Sequence, residues 1–283
     1  MAKPEHSTVS PTQEPASAKL PWGKITCLTV ASVVVLTIAF LVRRLIDGEL
    51  PNSTAVPTSP FWLLAWHILV VVLWGLVAWF LILRQDRLSL REMGVHHGAR
   101  ALLMWGGGVV VAFLAILGAG TLAQGSEQLD PVPAVAPSVI GFVFVVLFGW
   151  ISQALPQELL WRGYLMRITN QNPLKGTLIS ANIYGLAHLI ANWAEPNLLN
   201  RFLQAQVLGA FGALAATLIV LFRSWWPAFG IHCGYIVGSY VLSVLGTGTG
   251  IVLWGLQTIA FVILTIIAQG VGRKVLKQPL VLT

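Results

Sequence analysis

The sequence predicts an all-α fold, a polytopic helical bundle of about eight transmembrane helices with both termini in the cytoplasm. Composition comes first: the chain of 283 residues is 56% hydrophobic and only 10% charged, with a mean hydropathy of +0.79. A soluble domain of this length could bury a good core, but its surface would need charge that this composition lacks. Second, apolar runs near or above the ~18 residues that cross a bilayer recur along the whole chain. Third, the ~10-residue alternating segments of a transmembrane barrel are absent.

The elements follow in order. Residues 1–24 are rich in Pro, Ser, Thr and Ala without apolar periodicity and read as a disordered cytoplasmic tail. The first apolar run begins near Ile25, which fits an uncleaved signal anchor better than a signal peptide. Candidate spans fall at 25–42, 61–83, 101–123, 137–156, 176–192, 202–222, 226–245 and 251–271. The fourth is expected to break at Pro156, where a backbone hydrogen bond is lost, and to continue as a short helix through Arg167. These spans group as three N-terminal helices (25–123), a core (137–245), and a last helix with a short basic tail (251–283).

Charge sets the orientation. With the N-terminus inside, fourteen of the seventeen Lys and Arg residues fall on cytoplasmic segments, leaving only Arg43, Arg44 and Arg201 outside. Positive-inside therefore favours cytoplasmic termini, and an even span count preserves the alternation. The net charge of +7 needs no nucleic acid to explain it. Trp22, Trp62, Trp193, Trp225 and Trp226 lie near span ends, as interfacial anchors should. Cys27 and Cys233 both read as buried thiols. The loop DRLSLREMGVHHGAR, with Arg84 just before it, carries four Arg and two His. It reads as a solvated cytoplasmic loop favouring anionic headgroups. A regulatory or metal role for His96 and His97 is the remoter reading.

Ionisable side chains inside spans are costly and mark functional candidates. Here they are Glu158 and Arg162 in PQELLWRGY, His188 in NIYGLAHL, His232 in WWPAFGIHCGY, and His67 in AWHIL; Gln153, Gln157, Asn182 and Asn192 add neutral polar groups. Glu158 and Arg162 stand four apart and can pair on one helical face, so their plainest role is an internal salt bridge. A lone His in an apolar helix is more often a packing residue than a catalyst, and His67 is read that way outright.

QELLWRGYL, YGLAH and WPAFGIHCGYI lie in that order on three successive segments. Together they resemble the three motifs of the CPBP family, the CAAX-protease and bacteriocin-processing intramembrane proteases: Glu-Glu-x-x-x-Arg, Phe-x-x-x-His and His-x-x-x-Asn. The resemblance covers roughly 137–245. It implies that Glu158 is the second Glu of the first motif, Arg162 its Arg, Tyr184 the aromatic of the second, His188 the second-motif His and His232 the third-motif His. It further implies that the first Glu and the second-motif His activate a water, while the third-motif His and Asn stabilise an oxyanion.

The sequence departs from this pattern at two positions, with Gln157 at the first Glu and Ile236 at the Asn. An amide has no useful basicity near neutral pH. Losing a general base costs about 10²–10⁴ in rate, and losing an oxyanion donor about 10²–10³. A shift of one residue turns a side chain by about 100°, so Glu158 replaces the missing carboxylate only if Pro156 alters the helix path.

The expected function is thus a CAAX-protease-like membrane protein that is catalytically impaired and serves as a binding or scaffold partner. One alternative is an active endopeptidase that cuts lipidated or transmembrane substrates through Glu158, His188 and His232, opening toward the cytoplasmic half. A small transporter is the other, disfavoured because the spans show no paired halves. No cofactor is expected, although Glu158, His188 and His232 could compose a His₂Glu zinc sphere. Expected partners are the bilayer and a membrane protein or lipidated peptide, in the plasma (inner) membrane.

Overall fold

The computed structural model describes residues 20–47, 60–126, 129, 139–169, 173–192 and 197–276. The expected tail up to residue 19, Trp193 and the Asn-Gln-Asn connection at 170–172 lie outside them. All eight expected spans form helix, and no strand occurs among the described residues. The helices are α1 (Trp22–Asp47), α2 (Pro60–Ala78) with a π-helical extension (Trp79–Gln85), and α3 (Ala99–Ala123). A composite fourth helix then runs through α4 (Val139–Phe148), α5 (Leu155–Glu158) and α6 (Leu165–Ile168). After it come α7 (Pro173–Ala191), α8 (Leu198–Phe222), α9 (Trp226–Val244) and α10 (Ile251–Leu276).

Among the described residues, seven helices are long and apolar enough to cross a membrane, with Gly141–Ile168 as one continuous span. The segment expected at 176–192 is the exception: α7 forms, but Lys175, Ser180, Asn182 and His188 make it the least apolar of the eight. It is embedded instead by packing against α8 and α1. A Cβ on Gly185 would stand 2.8 Å from the Ala205 carbonyl oxygen, so this glycine permits the close approach of α7 and α8.

Pro156 does not break the fourth span. The helix widens into π-turns at Gly149–Ala154 and Leu159–Tyr164, on either side of α5. The Leu155 N–H reaches back to the Trp150 carbonyl, and the Leu165 N–H to that of Leu160. Proline cannot donate into the ladder, and the wider turns re-pair the backbone around it. The two turns also shift the helical register across the polar stretch, which fixes the faces that Gln157 and Glu158 present.

The tightest crossing joins α3 to α9, where backbones approach through small residues. Gly230, Gly234 and Gly238 recur every fourth residue on α9, facing Trp105, Val109 and Ile116 of α3. A Cβ on Gly108 would stand 2.5 Å from the Pro227 carbonyl oxygen and 2.9 Å from the Ile231 amide nitrogen. One bundle end is tied by a Lys24–Asp86 ion pair at 2.5 Å and by a Trp225 N–H to Gly94 carbonyl bond of 3.0 Å. At this same end Trp226 Nε1 donates to the His96 carbonyl.

Two sequence expectations resolve differently from one another. Cys233 is buried as expected, but Cys27 is exposed, because it falls on the outward face of α1. His67 is a packing residue as expected: its ring stacks on Phe148 at 4.8 Å between centroids, and Nδ1 lies 2.8 Å from Ser152 Oγ.

Candidate active site

The three motif segments converge in the bundle interior. Glu158 and Arg162 are 0% exposed, and Arg162 Nη1 donates to Glu158 Oε1 at 3.1 Å. The same carboxylate oxygen receives His232 Nδ1 at 2.9 Å. Glu158 therefore joins the fourth span to α9 as well as bracing its own helix. The Arg162 guanidinium lies over the Tyr184 ring at 4.0 Å and over Phe211 at 5.2 Å, which supplies a cation–π seat on α7 and α8. Gly212 leaves the space for it, since a Cβ there would collide with Arg162 Nη2. Phe211 also packs edge-on against His232, with centroids 5.0 Å apart.

Gln157 points elsewhere. It is nearly buried, and its Oε1 accepts the Tyr184 hydroxyl at 2.7 Å. On α7, His188 Nδ1 lies 2.8 Å from the Tyr184 carbonyl oxygen. A carbonyl only accepts, so Nδ1 carries the proton and Nε2 keeps a lone pair. Against the Glu158 carboxylate the same logic leaves the lone pair of His232 on Nε2.

Gln157, Tyr184, His188, His232 and Ile236 all line one cavity of about 540 Å³. His188 and His232 reach the same space from different helices, and Tyr184, Phe211 and His232 form a continuous aromatic contact across α7, α8 and α9. Glu158 does not line the cavity. The single-residue offset from Gln157 turns its carboxylate into the brace, and among the described residues the cavity lining holds no Asp or Glu.

The wall is also built from parts that carried no motif. Phe40 of α1 and Trp66, Val70 and Trp74 of α2 line it, as do Gln204 of α8 and Gln257 of α10. Nothing in those apolar runs distinguishes a cavity-facing Trp from a lipid-facing one. Phe211-Gly212, an aromatic beside a glycine opposite the buried cation, was the nearest available signal. The cavity extends along the second half of α1, the middle of α2, the first halves of α8 and α10, and the α9–α10 connection at Thr247 and Thr249. It therefore leads away from the end tied by Lys24, Asp86 and Trp225, whereas the active-protease expectation opened it toward that end.

The arrangement does not compose a His₂Glu metal sphere. Glu158 Oε1 is engaged by Arg162 and His232, and among the described residues no three His, Cys, Asp or Glu side chains are grouped to hold one ion.

Residues 139–238 match the family model described as type II CAAX prenyl endopeptidase Rce1-like. Over these residues the chain is similar to the CAAX-endopeptidase family. The matched segment begins with α4 and ends within α9, so it contains the whole Glu158–Arg162–His232 brace together with Gln157 and His188. No curated protein matches the chain. In family terms the first-motif Arg and second Glu are present and paired. The first Glu and the last Asn are replaced by an amide held by Tyr184 and by an aliphatic side chain lining the cavity.

Proposed function

We propose that this CAAX-protease-like membrane protein is catalytically impaired and uses its intramembrane cavity to hold a membrane-embedded partner, either a lipidated peptide or a transmembrane segment. The observation that carries this reading is a cavity lined, among the described residues, by two imidazoles and no carboxylate, with Gln157, at the position the family resemblance gives to the general base, engaged through its carbonyl by Tyr184. Water activation there falls to an imidazole with no carboxylate facing the same space, and Ile236 offers no donor to a tetrahedral oxygen. The apolar wall of Phe40, Val70, Trp74 and Leu253, set among neutral amides and hydroxyls, suits a greasy chain with a polar backbone.

In this reading the protein sits in the plasma (inner) membrane with cytoplasmic termini, and the cavity serves the opposite half of the bilayer. The transporter alternative gains no support from the fold, which builds its one composite helix only once among the described residues.

A second reading rests on His188. The Nδ1–Tyr184 bond leaves its Nε2 lone pair uncommitted on a residue that lines the cavity, so residual hydrolysis through imidazole alone is the competing outcome. The test is cleavage of quenched transmembrane and prenylated peptides by reconstituted full-length protein, with peptide binding measured in parallel. Binding without cleavage is expected, and Gln157→Glu with Ile236→Asn should raise the rate by at least about 10². Cleavage by the unaltered chain that His188→Ala abolishes would overturn the non-catalytic reading.

A further inference from the structure

A second cavity, of about 360 Å³, lies between the loop after α2, the end of the fourth span and the end of α8. Arg91, Arg162, Arg167 and Arg223 all line it, together with His96 and Glu92. Among the described residues the lining holds one carboxylate, Glu92, which accepts from the Ser89 amide and hydroxyl at 2.8 and 2.7 Å; these bonds, and more weakly Arg167, hold its carboxyl below the usual range. Four guanidiniums in one lining outnumber that carboxylate and give the space a positive potential.

Arg162 in this lining is wholly buried and held by Glu158 through Nη1, so it adds a fixed positive charge to those of Arg91, Arg167 and Arg223. The walls are fixed as well. The Trp225 amide bonds the Gly94 carbonyl and Trp226 Nε1 bonds the His96 carbonyl, which clamps the loop onto the turn between α8 and α9. The exposed Arg91 and Arg223 lie beside Trp225 and Trp226 at a bundle end, where headgroups and aromatic belts meet.

We infer that this cavity binds a phosphate group, with the arginines as its donors: the headgroup of an anionic phospholipid or a soluble phosphate ester of the same chemistry. Guanidinium forks match phosphate oxygens in pairs, and basic pockets between helix ends are suited to anionic headgroups. The site shares no lining residue with the neutral cavity, and Arg162 of the brace is among the residues that line it.

Native mass spectrometry of the delipidated full-length chain tests the inference, titrated separately with phosphatidylglycerol, phosphatidylcholine and glycerol phosphate. One saturable phosphatidylglycerol adduct is expected, at least about tenfold tighter than phosphatidylcholine. Displacement of it by millimolar glycerol phosphate would assign the site to soluble esters, and resistance to displacement would assign it to lipid. Arg91→Gln with Arg167→Gln should weaken the adduct about tenfold or more. Arg84→Gln with Arg100→Gln removes the same charge outside the pocket and should weaken it less than threefold. If the first double variant fails to fold, Arg91→Lys with Arg167→Lys keeps the charge, loses the fork and should still weaken binding. Equal loss in the pocket and control variants, or equal affinity for the two lipids, overturns the proposal.

Discussion

Replacing Arg162 with Met should be the most destabilising single change in the motif region. The side chain is fully buried, bonds Glu158 Oε1 at 3.1 Å, and lies 4.0 Å over the Tyr184 ring. Breaking a buried pair by removing one partner costs about 3–5 kcal/mol, because the remaining charge has lost its counter-ion. Glu158 keeps its His232 donor at 2.9 Å, which favours the lower end, about 3 kcal/mol. Loss of the desolvated cation–π seat adds roughly 1 kcal/mol or somewhat more. Met fills much of the vacated volume, so the cavity penalty stays small. The total is about 4 kcal/mol. Removing both charges with Glu158→Gln and Arg162→Met strands neither, and the double variant should be more stable than either single one. Unfolding by sodium dodecyl sulfate titration in mixed micelles, read by Trp fluorescence, gives all four corners of the cycle. A loss below about 1 kcal/mol in Arg162→Met, or a double variant worse than both singles, refutes the buried-brace account.

The other predictions follow from neighbouring geometry. Tyr184→Phe removes the donor to the nearly buried Gln157 Oε1 but keeps the ring beneath Arg162, so it should cost about 1 kcal/mol in the same titration. Gly234→Ala sets a methyl against the Val109 carbonyl, where backbone must move, and should cost about 1–3 kcal/mol or prevent insertion. Gly107→Ala on the open side of α3 should be neutral or slightly stabilising by thermal shift. Lys24→Met breaks an ion pair whose Lys is 38% exposed, and its melting temperature should therefore move far less than that of Arg162→Met.

Much of this architecture was legible because the bilayer leaves few choices. A long apolar run must become a helix, so each of the eight expected segments did, and the i, i+4 spacing of Glu158 and Arg162 was enough to foresee their pairing. Contact across helices was not legible. That Glu158 also holds His232, 74 positions away in sequence, depends on the π-turns around Pro156, and π-turns leave no periodic mark. The walls from α1 and α2 stayed hidden for a related reason, since Trp74 and Trp79 read alike although the first is buried and the second exposed. Cys27 failed differently: apolar surroundings in a chain that faces lipid do not imply burial. The α7 segment shows the limit of hydropathy from the other direction, because some of its polar groups are satisfied inside the bundle, as when Ser180 Oγ donates to the Trp161 carbonyl.

The motif that identifies the family is held together by contacts that do not require its chemistry. Glu158 fixes Arg162 and His232, Arg162 rests on Tyr184 and Phe211, and none of these bonds passes through residue 157. Substitution at Arg162 or Glu158 strands a buried charge, so both positions are constrained by folding alone. Position 157 carries no such penalty, since a Gln bonded to Tyr184 satisfies its own carbonyl and leaves the brace untouched. Position 236 lines the cavity and packs on Gly149, whose missing side chain admits Ile at 3.0 Å from the Cβ it lacks. Stability and hydrolysis are therefore separable in this fold. The Gln157→Glu variant exposes that separation directly, because it should alter cavity chemistry while leaving the Arg162-dependent unfolding cost in place. If Gln157→Glu instead reduced that cost by drawing Arg162 away from Glu158, residue 157 would be part of the brace after all, and the two properties would be coupled.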